Sequence, residues 1–411
     1  MPKIIIREND YTQAGTPEYG NFTVLIAGFA KSGVTAGTVF EFSTQADFVE
    51  KVGHVAYSIT TGEGESATTT TTSYGNKIAY ELLGLGYPVI YKVIDNVTSM
   101  NDASFWEEFK DKASYDFRYI MSGVLTQNAT VNTQMMNLAK FDAELAKNDI
   151  FSTGRGDCIA LLDVDITKEA VANIAESASS GSKYAAYFAP SFCIKGYAPK
   201  DADGNLIYTN NVFPASFYYL ACAKRASLNN FDEWFAVAGY TRGLANFAIE
   251  STSTNYGEIA IHKLQARTVS ESTADANIAV NLIANFRGNY YLWGNRTAET
   301  LDKELKASHF LNIRQLCTTI KKQLYIACRR FTFDPNSDIL WVNFCNAITP
   351  TLERMKNNQG IESFVIEKVD TDLKATLKAK IRITPIEAVE DFDIELALED
   401  SMGTTNATIS E

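Results

Sequence analysis

Three histidines (His54, His262, His309) and six cysteines (Cys158, Cys193, Cys222, Cys317, Cys328, Cys345) are the side chains of this 411-residue chain best suited to metal ligation or nucleophilic attack. A structural zinc site needs such ligands in close pairs that a short loop can bring onto one ion. The chain has no Cys-x-x-Cys pair and its histidines are far apart, so no zinc site is readable. The thiols are expected to be reduced and to pack as small apolar groups. A Ser-His-Asp nucleophile needs three groups in concert. His54 lies in Val52-Gly53-His54-Val55, no Gly-x-Ser-x-Gly elbow occurs, and a structural role is expected for it. Phosphate-cradling loops are glycine-rich in fixed patterns, which Ser122-Gly123-Val124-Leu125 does not meet, and no Walker-type lysine loop is present. Arg155-Gly156-Asp157 spells an adhesion tripeptide just before a strand-like run, where chance is the simpler source. Asn96 and Asn295 open Asn-x-Thr triplets that matter only on secretion. The expectation is therefore no catalytic residue, no cofactor and no metal.

The elements that would position any site follow from composition. At 46% hydrophobic and 12% aromatic the chain is globular, and its length suits two or three domains. A net charge of −12 argues against nucleic acid, because neutralising phosphates takes clustered Lys and Arg. The opening Met1 to Glu8 has an apolar run of only three residues, too short for a signal peptide, and no run approaches the roughly 18 apolar residues of a membrane helix. Synthesis in the cytoplasm and no membrane insertion are expected.

Along the chain, Ile4 to Ile6 reads as a short strand followed by a polar Gly/Pro/Thr stretch, an arm rather than a core element. Phe22 to Ala30 is an apolar run of strand length, Leu82 to Val93 ends a helix at glycine and opens a strand after Pro88, and Thr68 to Thr72 reads as an exposed loop or edge strand. From 115 to 190, strand-like Phe117–Met121, Cys158–Val164 and Tyr184–Phe188 alternate with helices near 131–147 and 167–178, which implies crossovers and a largely parallel sheet. A helix is expected near 216–226. Another near 309–330 carries Ile313, Leu316, Cys317, Ile320, Leu324, Ala327 and Phe331 on one face. A third, bent at Pro350, carries Trp341, Phe344, Ile348, Leu352 and Met355 inward and ends before a Gly360 cap.

The clearest pattern lies near the end. In Leu373 to Ile383, apolar residues alternate with Lys374, Lys378, Lys380 and Arg382, the signature of a half-buried strand with a cationic outer face. In Asp391 to Glu399, Phe392, Ile394, Leu396 and Leu398 alternate with acids. Two such strands suit one sheet, since opposite charges across a pair add about 0.2–1 kcal/mol each. Thr384 to Glu390, which joins them, contains Pro385 and lacks a two-residue hairpin signal, so the second strand can return to its own domain or cross to a neighbour.

The run Phe286-Arg287-Gly288-Asn289-Tyr290-Tyr291-Leu292-Trp293-Gly294-Asn295-Arg296-Thr297, with Phe333-Asp334-Pro335-Asn336 leading to Leu340-Trp341, resembles the C-terminal domain of contractile tail sheath proteins. Phe22 to Ala30 resembles that family's N-terminal opening, and Pro214, Ser216 and Arg242-Gly243 match part of a further motif. The resemblance implies an α/β and α+β multidomain chain: an N-terminal arm (1–20), the N-terminal part of the core (21–95), a central α/β domain of subtilisin-like topology (96–280), a C-terminal α+β sheath domain (281–388) and a C-terminal arm (389–411). It implies a structural subunit that polymerises around an inner tail tube and contracts to drive the tube through a cell envelope. Its partners would be itself, the tube protein, and baseplate and tail terminator proteins. It would be assembled in a bacterial cytoplasm and mature in a virion or extracellular particle. Ile4, Ile5, Ile6 and Arg7 with Phe392, Ile394, Leu396 and Leu398 would then be intersubunit strands, and Lys374, Lys378, Lys380 and Arg382 the accepting strand. Tube contact is expected from Asn346, Glu353, Arg354, Lys356 and Asn357. Other polymer subunits (tail tube, capsid, surface layer) and an unrecognised α/β enzyme are the alternatives.

Overall fold

The computed structural model describes residues 22–54, 57–61, 68–124, 128–149, 152–164, 181–189, 192–194, 212–245, 249–250, 258–264, 278–300, 305–371 and 375–389. Its strands in chain order are β1 (Val24–Gly28), β2 (Val39–Phe42), β3 (Tyr57–Thr61), β4 (Thr68–Ser73), β5 (Val89–Val93), β6 (Tyr119–Met121), β7 (Ile159–Asp163), β8 (Ala185–Ala189), β9 (Phe192–Ile194), β10 (Val212–Phe213), β11 (Ile249–Glu250), β12 (Val280–Phe286), β13 (Asn289–Trp293), β14 (Ile361–Val369) and β15 (Lys378–Pro385). Eight of them form one sheet in the order β13-β12-β8-β7-β6-β1-β5-β2. Its six central strands are parallel, and antiparallel β2 and β13 close its ends.

The parallel strands are continuous apolar runs because both faces are covered. On one face Ile26, Tyr91, Leu161 and Phe188 pack with the helices Gly75–Gly84 and Ala215–Leu228. On the other, Leu25, Ile90, Ile120, Leu162 and Val280 pack with the helices Ala103–Glu107, Ala129–Ala139 and Glu258–Leu264. A third apolar cluster joins Trp234, the helices Leu311–Phe331 and Asp338–Asn357, and the inner face of the β14–β15 pair.

Several expectations change in detail. The helix expected over 131–147 is two, Ala129–Ala139 and Ala143–Asn148, because Asp142 caps the second by accepting from the Glu144 and Leu145 amides. The helix expected near 167–178 lies outside the described residues. The left-handed residue after Asn357 is Gln359 (φ 62°), not Gly360. Gly360 is needed for a different reason: a Cβ there would sit 3.0 Å from the Trp234 ring, whose Nε1–H donates to Asn358 O at 2.9 Å. The Phe286–Trp293 run is the β12–β13 hairpin of the large sheet, tied to it by the parallel β12–β8 pairing, so a division at residue 281 falls inside β12. Arg287 (φ 54°) and Gly288 (φ 88°) are its turn, both left-handed as a tight hairpin of matching twist requires.

Candidate assembly surfaces

The sheath-like motif does structural work. Asn295 Nδ2 donates to Asn312 Oδ1 at 2.7 Å, the Asn312 amide returns to Asn295 Oδ1 at 3.0 Å, and Asn312 Nδ2 donates to Trp234 O at 3.1 Å. Arg296 takes both backbone bonds from Asn281 (2.8 Å each) and lays its guanidinium on the Phe310 ring. Thr297 holds His309 O and Ser308 O. All of these side chains but Ser308 are buried, so the segment is a joint between the sheet's last hairpin and the first turn of the helix Leu311–Phe331.

One turn further on, the same helix is locked to the sheet by a second buried network. Arg118 Nε donates to Gln315 Oε1 at 3.0 Å, and Gln315 Nε2 donates to the hydroxyls of Tyr119 and Tyr219 at 2.8 Å each. Thr319 bridges Arg118 to Glu233. Burial and neighbouring phenols raise Tyr219 and Tyr87 well above their usual range, so these hydroxyls stay neutral hydrogen-bonding groups.

This frame presents the β14–β15 pair. Its register sets Phe364 against Ile383 and Ile366 against Ile381 on the inner face, packed on the helices, and Val365 against Arg382 and Glu367 against Lys380 on the outer face. Lys378, Lys380 and Arg382 are exposed. Arg382 pairs with Glu367, and Ser363 Oγ donates to Thr384 Oγ1 at 3.0 Å. Lys374 and the expected arm segments Ile4–Arg7 and Phe392–Leu398 lie outside the described residues. A two-stranded sheet is marginal by itself, and among the described residues both of its outer edges carry no further strand. After β15 the chain runs along a cleft of about 450 Å³ lined by Trp234, Arg242, Trp293, Ile386 and Val389, with Val389 71% exposed.

The expected tube-facing residues Asn346, Glu353, Arg354, Lys356 and Asn357 are all exposed, but they do not share one face. At 3.6 residues per turn, Asn346, Glu353 and Asn357 align in a stripe with exposed Ile339 and Val342, while Arg354 and Lys356 flank it. Arg354 is also committed within the chain, to Asp232 at 3.2 Å. Ile339 and Val342 escaped the sequence reading because periodicity marks large aliphatics as core, and only packing shows which ones face out.

The residues with chemical potential are placed as framework. Arg155 and Asp157 bind each other at 2.9 Å, both nearly fully buried, and Arg155 Nη1 donates to Phe109 O and Tyr115 O at 2.8 Å each. That tripeptide is a loop clamp, inaccessible to a receptor. Burial pushes the Cys158 and Cys222 thiols up to about 12, far from reactive thiolates. His54 stands edge-on to Tyr80 at 4.7 Å. His309 accepts the Lys306 amide at 2.8 Å, and burial lowers its pKa. Among the described residues no cluster of three potential metal ligands occurs, and no helix is long and apolar enough to cross a membrane.

No family model matches the sequence, and no curated protein matches it. The fold is similar to that of solved sheath proteins over nearly the whole of both chains. The sheath complex of an extracellular contractile injection system (PVC) in its contracted state aligns with TM-score 0.64 and 13% identity, over 97% of this chain and 98% of that one. The helical sheath of the anti-feeding prophage in its contracted state aligns with TM-score 0.61 and 14% identity, over 97% and 99%. The sheath tail protein of Desulfitobacterium hafniense aligns with TM-score 0.53 and 9% identity, over 94% and 98%.

Proposed function

We propose that this protein is the structural subunit of a contractile sheath: a homopolymer wound round an inner tube, associated with a baseplate, and shortening to drive the tube through a target envelope. The observation that carries this reading is the likeness of fold to contractile sheath proteins over 97% of the chain. The residues the sequence reading singled out acquire roles in that frame. The β14–β15 pair, anchored on two long helices and with no further strand at its edges among the described residues, accepts strands from neighbouring copies. Ile4–Arg7 and Phe392–Leu398 are those strands, and the acids interleaved with the latter face Lys378, Lys380 and Arg382. The stripe Ile339–Val342–Asn346–Glu353–Asn357 is the tube-facing surface.

The mechanism involves no turnover. Strand exchange keeps copies linked while the packed interfaces between them change from one discrete arrangement to another, the behaviour of bistable contacts. The central domain has the subtilisin-like topology the sequence resemblance implies, used as a rigid block. Assembly takes place in a bacterial cytoplasm, and the finished particle, with its terminator and tube, acts outside it. Negative-stain microscopy of the purified protein tests the reading. Hollow striated cylinders support it, whereas narrow-bored rings indicate a tube subunit, and monomers or closed shells under all conditions refute it.

A further inference from the structure

Three cations surround the ring of Tyr184, which stands just ahead of β8. Arg314 Cζ lies 4.7 Å, Lys321 Nζ 5.0 Å and Lys183 Nζ 5.8 Å from its centre. Arg314 and Lys321 sit two turns apart on the helix Leu311–Phe331, so both project from one face. Arg314 is only 7% exposed, and its buried Nε has no hydrogen-bond partner. Lys321 donates to Gly156 O at 2.9 Å and lies 3.4 Å from the Tyr184 hydroxyl, while Lys183 is exposed.

Among the described residues, the two nearby aspartates are already paired. Asp157 is held by Arg155 at 2.9 and 3.3 Å, and Asp116 by Lys322. Lys112 adds a further cation, over the Tyr325 ring. Burial first, then the charges of Arg314 and Lys183, lower Lys321 to about 8, against the opposing pull of Cys317 and Asp157. A buried guanidinium with no ion-pair partner among the described residues is costly. In a chain of net charge −12, such a surplus of positive charge is a local exception.

We propose that Lys183, Arg314 and Lys321 form a docking site for a carboxylate presented by a second copy of this chain. With 49 acidic and 37 basic side chains, every copy has carboxylates in excess, so acidic copies attract each other only where a cationic point meets them. The three cations crowd around one ring. That is a point site fitted to one or two carboxyl groups and unlike the extended cationic stripe that tracks a nucleic acid. The identity of the occupant rests on the self-assembly proposed above, while the carboxylate chemistry of the site does not.

Two measurements on the full chain test this. In assembly followed by light scattering, Lys183→Glu raises the concentration needed for polymer formation about tenfold or more at low salt, and Lys51→Glu, on a distant helix, leaves it unchanged. On the unassembled chain, a decaglutamate peptide binds the wild type and raises the titration midpoint of Lys321, read by NMR on isotopically methylated lysines. Lys183→Glu and Arg314→Gln weaken that binding about tenfold while far-UV circular dichroism stays native. Assembly of Lys183→Glu at wild-type concentrations, or equal peptide binding by all three proteins, overturns the proposal. Tighter site-dependent binding of inorganic phosphate or duplex DNA than of decaglutamate overturns it too. If the wild type never polymerises but binds decaglutamate through these residues, the carboxylate site is supported and the sheath reading fails.

Discussion

Asn295 and Asn312 hold each other by two hydrogen bonds, side chain to side chain at 2.7 Å and backbone amide to side chain at 3.0 Å, and both are buried where the last hairpin of the large sheet meets the helix Leu311–Phe331. The Trp293 run is thus a mechanical joint between sheet and helix.

Breaking this joint should cost fold stability. Asn295→Ala leaves the Asn312 backbone N–H and side-chain Oδ1 buried without partners, an expected loss of about 1–3 kcal/mol. Asn346→Ala, on an exposed face, should stay within about 0.5 kcal/mol of wild type. Urea unfolding midpoints at matched slope measure both, and equal midpoints would remove the joint from the account.

The β14–β15 edge should matter to assembly and not to folding. Lys380→Glu places an acid opposite Glu367 on the exposed face and faces any incoming acidic strand with like charge. Removal of residues 1–10 or 390–411 deletes the proposed exchanged strands. Each change should leave a native circular dichroism spectrum and abolish or weaken polymer growth seen by microscopy. Unfolding of the truncated chains would instead mean that these strands complete their own subunit.

The tube-facing stripe is best probed where no internal partner is disturbed. Arg354→Glu would set an acid beside Asp232 and confuse docking with local repulsion. Val342→Lys and Glu353→Lys alter the stripe alone, and should reduce co-assembly on tube protein several-fold while strand exchange between copies continues. Co-sedimentation with the tube protein at wild-type level would move the tube contact elsewhere.

Two buried groups predict stability changes with pH of opposite sign. Burial raises the Asp163 carboxyl to about 7, partly offset by the Ser216 hydroxyl and amide that donate to it. The folded chain therefore holds that proton more tightly than the unfolded one, and its contribution to stability falls as pH rises from about 4 to 7. Burial lowers His309, so its contribution falls as pH drops below about 6.5. Asp163→Asn keeps acceptor and donor for Ser216 without charge. It should raise stability at pH 8 by roughly 1–3 kcal/mol and do little at pH 4, as read by thermal melts.

Local patterns set much of the molecule. The alternation of strands and helices over 115–190 announced a largely parallel sheet, and period-two alternation in β15 put Lys378, Lys380 and Arg382 on the outer face, because pleating alone decides which side a residue faces. Gly86 (φ 80°) ended the Gly75–Gly84 helix as its glycine suggested. Other features depend on partners distant in the chain. The parallel β8–β12 pairing that moves the Trp293 run into the large sheet joins residues some ninety positions apart, and no local propensity encodes it. The mutual burial of Arg155 and Asp157, the exposure of Ile339 and Val342, and the meeting of Lys183, Arg314 and Lys321 around Tyr184 are likewise properties of packing. Sequence determined the apolar period of the main strands and long helices, since it follows from short-range sterics and hydrophobic period. Only the tertiary structure decided which charges are paired and which are left to bind something else, because pairing depends on distances between elements that the chain brings together last.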